Sequence, residues 1–413
     1  MNRTMLDRFL RYVAVGTQAD PSTGVVPSTP GQLELAKLMA KELEELGLDD
    51  VRWDEHAYVT ASLPASATAR ADAPSIGLLA HLDTALDAPG DNVKPRVVEN
   101  YDGGDIELSP GMILGPDAFP LLKDKKGHTL VVTDGTTLLG GDNKSALAII
   151  MDVLETLIKN PEIPHGPVKV CFCPDEEISH GCALLDLEAF GADFAYTMDS
   201  LEYASLVYET FNAAKAEVIV RGVSVHPGSS KDRMINAILL GLDFVDALPH
   251  TERPDQTEGY EGFFHVNNFK GAVGETRITM IIRDHDADKF EARKQLVRDL
   301  VDRMNAKYPT ADEPHFTLVM TEQYRNMAEG LKGKMHIVET AKQAILDAGL
   351  PLVMLPMRGG TDGSQLSQRG LPTPNIFAGF YNAHGPYEFV SLQDMQESAG
   401  VMLRILKSYG EKK

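Results

Sequence analysis

Adjacent carboxylates at the end of a buried strand constrain this chain more than any other feature of its sequence. The run 167–173 (Pro-Val-Lys-Val-Cys-Phe-Cys) is short, apolar and stopped by Pro174, which predicts a buried β-strand. Asp175, Glu176 and Glu177 follow directly. Carboxylates in such a place cost free energy unless a positive charge lies beside them. Taken alone, the stretch is compatible with a metal site and equally with a solvated acidic loop.

Histidine or a carboxylate recurs at similar positions in three further segments. They are His81 with Asp83 after the strand-like run 75–80, Asp199 after the run 194–198, and Asp142 just before a predicted helix at 144–159. Open α/β sheets build their sites at the carboxyl ends of strands. Histidine, aspartate and glutamate together suit zinc or a similar divalent ion. The combination therefore favours the metal site.

The order of predicted elements indicates two domains. A chain of 413 residues is longer than one core usually absorbs. Strands alternate with helices in the first half and again after residue 323, which predicts an α/β domain with a largely parallel sheet covered by helices on both faces. Between them, residues 214–322 follow the order β-α-β-β-α-β of a ferredoxin-like α+β domain. We therefore expect a discontinuous domain, 1–213 and 323–413, with 214–322 inserted.

Charge and cysteine content restrict the binding partners and the cellular compartment that are expected for this chain. The formal net charge is −21, which argues against nucleic acid and against an anionic membrane surface. No apolar run reaches membrane-spanning length, and the first residues lack the apolar core of a signal peptide. Three cysteines (Cys171, Cys173 and Cys182) do not make a disulfide framework, and we expect them to pack in a core. A reducing cytoplasm is the expected location.

With these elements placed, a set of short motifs can be compared with known families. In chain order the motifs are Ala80-His81-Leu82-Asp83-Thr84, Gly141-Asp142-Asn143-Lys144, Pro174-Asp175-Glu176-Glu177, Met198-Asp199, Val225-His226-Pro227-Gly228, Thr257-Glu258-Gly259-Tyr260-Glu261-Gly262-Phe263, Ile281-Ile282-Arg283-Asp284, Arg358-Gly359-Gly360-Thr361-Asp362-Gly363 and Tyr381-Asn382-Ala383-His384-Gly385. Their order and combination resemble the peptidase T family, tripeptide aminopeptidases of the zinc-dependent aminoacylase and carboxypeptidase superfamily. The resemblance covers nearly the whole chain.

The resemblance implies a centre with two zinc ions per chain. It places His81 and Asp199 on one zinc and Glu177 and His384 on the other, with Asp142 bridging them. A bridging role suits a carboxylate, because its two oxygens can span metals about 3.5–4 Å apart. In this sequence every residue of the implied set is of a type that binds zinc.

The resemblance also assigns residues that act on the reaction. It implies that Glu176 is the general base, that Asp83 supports His81 from behind, and that His226, on the inserted domain, steadies the developing oxyanion. The inserted domain is then expected to act as a lid. A lone His226 before a proline would otherwise be an ordinary surface histidine on an extended segment.

Substrate contacts are less constrained by the motifs. Arg283 or Arg358 is expected to pair with the carboxylate of a short peptide, and Asp362 is a candidate for its ammonium group. The alternative is that both arginines only tie the lid to a loop by salt bridges. The chain departs from the family at Asn143, where a second aspartate is usual, and at His180, which we expect to be an exposed loop residue.

Three hypotheses about function follow. The first is a cytoplasmic di-zinc exopeptidase, monomer or homodimer, that releases the N-terminal residue of short peptides and prefers tripeptides. The second keeps the chemistry and changes the substrate, giving a dipeptidase, a carboxypeptidase or an amide deacylase. The third is a catalytically silent protein that uses the scaffold for binding. The complete ligand set with Glu176 argues against the third, because a silent protein has no chemical need for it.

Overall fold

The computed structural model describes residues 3–310 and 313–411. Its helices are α1 (Arg3–Val13), α2 (Pro30–Leu46), α3 (Gly141–Lys159), α4 (Leu187–Phe190), α5 (Ala237–Asp246), α6 (Ala287–Lys307), α7 (Ala328–Leu331), α8 (His336–Asp347), α9 (Asp362–Gln368) and α10 (Leu392–Gly410). Short 3-10 turns lie at Pro120–Lys125, Glu176–Ile178, Gly181–Leu184, Pro227–Ser229 and Pro254–Gln256. No helix within these ranges is both long enough and apolar enough to cross a membrane.

The strands are short and spread along the whole chain. They are β1 (Asp49–Trp53), β2 (Val59–Leu63), β3 (Ile76–His81), β4 (Arg96–Val98), β5 (Ile106–Ser109), β6 (Met112–Leu114), β7 (Leu130–Val132), β8 (Val168–Cys173), β9 (Phe194–Ser200), β10 (Leu206–Val207), β11 (Asn212–Arg221), β12 (Phe263–Gly271), β13 (Glu275–Asp284), β14 (Phe316–Tyr324), β15 (Asn375–Phe377), β16 (Phe380–Tyr381) and β17 (Phe389–Ser391).

The chain divides into two compact units. The first unit consists of Met1–Tyr208, Gly330–Leu355 and Thr361–Lys413, and the second of Glu209–Glu329 and Pro356–Gly360. The second domain predicted from the sequence, 214–322, lies within this unit, which is longer at both ends and takes in a separate short segment.

Backbone pairing explains why the segment 356–360 belongs to the second unit. Thr210 forms a parallel bridge with Met357, and the Met357 N–H donates to the carbonyl of Glu209 at 2.9 Å. The sequence offered no sign of this pairing, because a single bridge leaves no periodic pattern.

A mixed sheet forms the centre of the first unit and confirms the predicted α/β class. Its order is β1-β2-β8-β3-β9-β15-β10. The neighbours β8, β3, β9 and β15 run parallel, whereas β1, β2 and β10 add antiparallel edges. All of β3 is buried. Leu78 and Ala80 enter the large core that α3 fills, while Leu79 packs on the other side with Phe190 and Leu366 of α4 and α9. Both faces of the sheet are therefore covered.

The register of the parallel strands places the candidate site. His81, the last residue of β3, is level with Cys173, the last residue of β8. On the other side Leu79 pairs with Thr197, so Asp199 follows on β9 at the same edge. The carboxyl ends of these strands meet at one edge because the strands are parallel. The acidic loop after Cys173 therefore begins beside His81 and Asp199.

The second unit confirms the predicted ferredoxin-like topology. Its sheet order is β12-β13-β11-β14 with every neighbouring pair antiparallel, and α5 and α6 connect the strands. Alternate residues of β11 such as Ala216 and Val218 are buried in the core with Ile278 and Phe290. Glu217, between the buried ones, instead forms an ion pair with Arg277 at 3.0 Å.

Substitutions on the two sides of helix α3 are expected to differ in their effect on the free energy of unfolding. Leu154 is fully buried, whereas Ile158, one turn later, is 36% exposed. Leu154→Ala is expected to lower the free energy of unfolding of the first unit by about 2–5 kcal/mol, because it removes packed methyl groups and leaves a cavity. Ile158→Ala is the matched control and is expected to cost less than about 1 kcal/mol. Urea denaturation followed by fluorescence of Trp53, the single tryptophan, measures both. Equal losses would contradict the packing described.

Candidate metal centre

His81 is held from both sides of its ring. Its Nδ1 lies 3.2 Å from Asp83 Oδ1, and its Nε2 lies 3.1 Å from Asp142 Oδ1. Asp83 is completely buried, and its two oxygens also accept the backbone N–H groups of Glu176 and Glu177 at 3.0 Å each. One carboxylate therefore fixes the tautomer of the imidazole and the start of the acidic loop together.

Asp142 lies between the two histidines and directs one oxygen to each. Its Oδ1 faces His81, and its Oδ2 lies 3.4 Å from Nε2 of His384. Asp199 Oδ1 is 3.9 Å from the same His81 nitrogen, and Glu177 Oε2 is 3.2 Å from the same His384 nitrogen. The structure thus brings together all the metal-ligand candidates, in two groups that share Asp142. Glu176 joins His81 and Asp199 in a group whose donor atoms all lie within 4.8 Å of one another.

The spacing of the donor atoms fits zinc. Tetrahedral zinc with bonds of about 2.0–2.2 Å to nitrogen and oxygen separates its ligand atoms by about 3.4 Å. The four separations between a histidine Nε2 and a carboxylate oxygen run from 3.1 to 3.9 Å and lie around that value. In addition, Glu177 Oε1 is buried and finds no hydrogen-bond partner in the part of the chain that the structure describes. A cation would give this oxygen the partner that a buried acceptor requires.

The pKa shifts of the clustered side chains also indicate that the cluster favours a bound cation. Burial, and then the charge of Asp199, raises the pKa of Glu176 well above its usual value. Burial, and then Asp142, raises the pKa of Glu177 and of Asp199. Hydrogen bonds to Asp142 and Glu177 raise the pKa of His384 to about 11. Carboxylates crowded at this density favour a nearby positive charge, and a divalent ion supplies it.

Glu388 supports Asp142 through the backbone and was not found by sequence reasoning. It is 1% exposed, and its Oε1 accepts the N–H of Asp142 at 3.0 Å. Its Oε2 accepts the N–H groups of Leu139 and Gly140 at 2.7 and 2.8 Å. Burial raises the pKa of Glu388 to about 7. Its hydrogen bonds within the described residues are all to main-chain groups, so no spacing of functional side chains could have revealed it.

Asn143, the departure from the family pattern, contacts one candidate ligand on β3 and one on β9. Its Oδ1 accepts the His81 N–H at 3.3 Å, and its Nδ2 donates to the Met198 carbonyl at 2.8 Å and to Asp199 Oδ1 at 3.1 Å. An ionised aspartate has no donor to offer Asp199. The amide therefore orients this carboxylate without adding negative charge to the cluster.

A second support missed by sequence reasoning is Asp87. Its Oδ2 lies 3.3 Å from Nδ1 of His384, which repeats around the second histidine the pairing of Asp83 with His81. Asp87 is well exposed, with 69% of its side chain accessible, so its contribution is weaker than that of buried Asp83. It lies in a loop rich in glycine, proline and aspartate, where one acid cannot be told from another by sequence.

Asp362 lies in the first unit as the first residue of α9, and both oxygens of its carboxylate already accept hydrogen bonds. Only 3% of the residue is exposed. Oδ1 accepts the Cys182 N–H at 2.9 Å, and Oδ2 accepts the Cys173 thiol at 3.0 Å. Binding of a substrate ammonium by Asp362 would require these bonds to be exchanged. The cysteines are free and buried, and Cys182 Sγ lies 3.1 Å from Cys173 Sγ.

The remaining substrate candidates belong to the second unit. Arg283 donates to the carbonyls of Ala214 and Ile282 at 3.3 and 3.1 Å. Arg358 donates to the carbonyls of Gly259 and Glu261 at 3.0 and 2.8 Å. Within the described ranges neither arginine forms an ion pair, so the salt bridges considered as their alternative role are not what holds them.

His226 caps the short 3-10 turn Pro227–Ser229 of the second unit and is exposed. Its Nδ1 accepts the N–H of Gly228 at 3.1 Å. This bond places the proton of a neutral ring on Nε2, which is then a donor. His180, in the acidic loop of the first unit, is also exposed.

Comparison with known proteins finds a matching family domain and relatives that cover almost the whole chain. The M20 peptidase dimerisation domain matches residues 208–312. Peptidase T of Clostridium perfringens (strain 13 / Type A) is 49% identical over 406 residues, which cover 98% of this chain and 99% of the relative. The crystal structure of the aminopeptidase PepT from Bacillus cereus ATCC 10987 aligns with a TM-score of 0.78 at 21% identity, covering 99% of both chains. The Bacillus subtilis YXEP protein, described as a dinuclear metal-binding peptidase of the M20 family, aligns with a TM-score of 0.64 at 13% identity over the full length of both.

The matched peptidase dimerisation domain and the relatives named peptidase T place this chain among the peptidases, and the imidazoles and carboxylates gathered at its strand ends could hold a metal ion. Similarity at 49% identity along almost the whole chain is more specific than a shared fold. The chain belongs to the peptidase T family.

The support that Glu388 gives to the backbone can be tested by replacing one of its two carboxylate oxygens, each of which accepts hydrogen bonds. Glu388→Gln keeps the shape of the side chain but turns an NH₂ group toward backbone N–H donors. It is expected to lower the free energy of unfolding by about 1–3 kcal/mol for each buried N–H left unpaired. The matched control is Glu397→Gln, because an amide oxygen can still accept the Tyr203 hydroxyl that Glu397 accepts at 2.5 Å. Thermal denaturation of both variants gives the difference, and an unchanged midpoint for Glu388→Gln would refute the support.

Proposed function

We propose that this chain is a di-zinc aminopeptidase that releases the N-terminal residue of short peptides and prefers tripeptides. The observation that carries the proposal is the arrangement of two imidazole–carboxylate groups on the two oxygens of Asp142. The names of the similar proteins, peptidase T and aminopeptidase PepT, support the substrate class. The description of a structural neighbour as dinuclear supports two metal ions per chain.

In the proposal, each histidine shares a metal ion with the carboxylates that lie nearest to it. His81 and Asp199 would hold one zinc and Glu177 and His384 the other, with one oxygen of Asp142 available to each. The chemistry that two zinc ions supply when bound is acidification of water and polarisation of a carbonyl group. Asp83 keeps the His81 ring in the tautomer that leaves Nε2 free to bind a metal.

Glu176 moves the protons. Its carboxylate belongs to the group with His81 and Asp199, and its backbone is fixed by Asp83. From there it takes a proton from the attacking water and delivers it to the leaving amine nitrogen as the scissile C–N bond breaks. Since Glu176 hydrogen-bonds through its main chain rather than its side chain in this loop, its carboxylate remains available for that transfer.

The second unit supplies the remaining roles in the proposal. Residues 214–322 act as a lid, and His226 donates from Nε2 to the developing oxyanion. Arg283 of the lid, or Arg358 of the separate segment 356–360, pairs with the terminal carboxylate of the peptide. The match to a dimerisation domain supports a homodimer. The free cysteines are consistent with action in a reducing cytoplasm.

The role of Glu176 is tested by Glu176→Gln. The amide has the shape of the carboxylate but cannot take a proton, so kcat on a tripeptide is expected to fall about 10²–10⁴-fold. Elemental analysis is expected to find two zinc ions per chain in the variant as in the parent. Glu188→Gln, at an exposed glutamate of α4, is the control and is expected to leave kcat unchanged. Near-normal kcat in Glu176→Gln would remove the base assignment, and loss of zinc would make Glu176 a ligand.

The end of the peptide that is recognised is tested with substrates. An extended tripeptide spans roughly 10 Å, so a site that pairs with both termini selects for length. Tripeptides are expected to be cleaved faster than dipeptides or tetrapeptides, N-acetylation is expected to abolish cleavage, and C-terminal amidation is expected to raise KM. A mass-spectrometric time course on a mixed peptide set measures all three. Efficient cleavage of N-acetylated amino acids would replace the aminopeptidase with a deacylase.

A further inference from the structure

The residue before Glu176 has an unusual backbone. Asp175 has a φ of 54°, in the left-handed region, and is completely buried. An L-residue other than glycine in this region carries a free-energy cost and persists only where its surroundings hold it there. Asp175 and Glu176 share a peptide bond. The contacts that fix the backbone of Asp175 therefore also fix the orientation of the Glu176 backbone.

The start of α2 supplies the contacts that hold Asp175. The Ser28 N–H donates to Asp175 Oδ2 at 2.7 Å, and the Ser28 hydroxyl donates to Oδ1 at 2.5 Å. Gln32 Nε2 donates to the same Oδ1 at 2.6 Å, and Gln32 Oε1 accepts the Asp175 N–H at 3.0 Å. Ser28 and Gln32 are 4% and 0% exposed. Both the side chain and the main chain of Asp175 are therefore fixed by groups that water does not reach.

The other side of the acidic loop is fixed from β3. Asp83 accepts the N–H groups of Glu176 and Glu177, as described above. The Asp175 carbonyl in turn accepts the N–H groups of His180 and Gly181 at 2.9 Å each, which closes the loop on itself. The loop is thus held at its first residue by Ser28 and Gln32, and at its next two residues by Asp83, which follows β3. Loss of either contact frees only part of it.

We propose that Ser28, Gln32 and Asp175 form a clamp that positions Glu176 for proton transfer, so that these are positioning residues for the reaction. The inference rests on the proposed function of Glu176. Without the clamp, Asp175 can relax to negative φ, and the peptide before Glu176 rotates. Because a misplacement of about 1 Å can cost on the order of 10²-fold in rate, a partial release is expected to lower kcat about 10- to 100-fold. KM and zinc content are expected to stay near the parent values, since the metal ligands are not part of the clamp.

The first experiment compares Gln32→Leu with a matched control in the zinc-loaded full-length protein. Leucine has a similar volume and removes both bonds to Asp175. The control is Tyr12→Phe, which removes a buried 2.6 Å hydrogen bond from Tyr12 to Glu42 of the same helix α2. Both variants are expected to lose stability, but only Gln32→Leu is expected to lose kcat at a temperature well below either midpoint. An unchanged kcat in Gln32→Leu would reduce the clamp to a structural contact and overturn the proposal.

A second pair of variants is milder and covers the case in which Gln32→Leu does not fold. Ser28→Ala removes the hydroxyl that donates to Asp175, whereas Ser28→Thr keeps it. Ser28→Ala is expected to lower kcat, and Ser28→Thr is expected to restore most of it. Equal kcat in the two variants would overturn the proposal, because a packing role depends on volume rather than on the hydroxyl.

A double-variant cycle separates the clamp from the assignment of the base. If the clamp acts through Glu176, then Gln32→Leu combined with Glu176→Gln is expected to be no slower than Glu176→Gln alone. Multiplied losses would show that the clamp acts elsewhere and would overturn it. If Glu176→Gln alone keeps kcat, the proposed function of Glu176 fails. A loss of zinc in Gln32→Leu would place the effect on the neighbouring ligand Glu177 and would also overturn the clamp.

Discussion

Negative charge is concentrated at one edge of a sheet in this protein, and the surrounding structure is arranged to keep it there. Asp142, Glu176, Glu177 and Asp199 are drawn together with His81 and His384, and burial raises the pKa of most of these acids. Without a cation such a cluster would repel itself or take up protons. The free energy of metal binding is therefore part of the stability of this edge, and its side chains do not behave as independent groups.

The supports of the cluster act largely through main-chain N–H groups. Asp83 binds those of Glu176 and Glu177, Glu388 binds that of Asp142, and Asp175 is fixed through its own. A backbone group cannot change rotamer, so a ligand whose main chain is fixed has only its side-chain torsions left to order. The centre is thus organised at the level of the loops that carry it, which suits a reaction that depends on position.

Sequence could predict the strands, the fold class and the candidate ligands for a shared reason. Parallel strands bring their carboxyl ends to one edge, and His81, Asp199 and the acidic loop all follow apolar runs that are easy to identify. It could not predict Glu388 or the pairing of Ser28 and Gln32 with Asp175, because these contacts join residues far apart in the chain through backbone or single polar atoms. The second unit also takes in the segment 356–360, which a single bridge between Thr210 and Met357 joins to it and which no pattern in the sequence indicates.

The register of β3 and β8 has a consequence for how a chain of this kind can change in length. His81 is level with Cys173, and successive side chains of each strand serve opposite cores. Adding or deleting one residue inside either strand would exchange those cores and carry the residues after it to the wrong face of the sheet. Length variation is therefore expected in the loops, such as the long stretch between β3 and α3, while the strands keep their residue count.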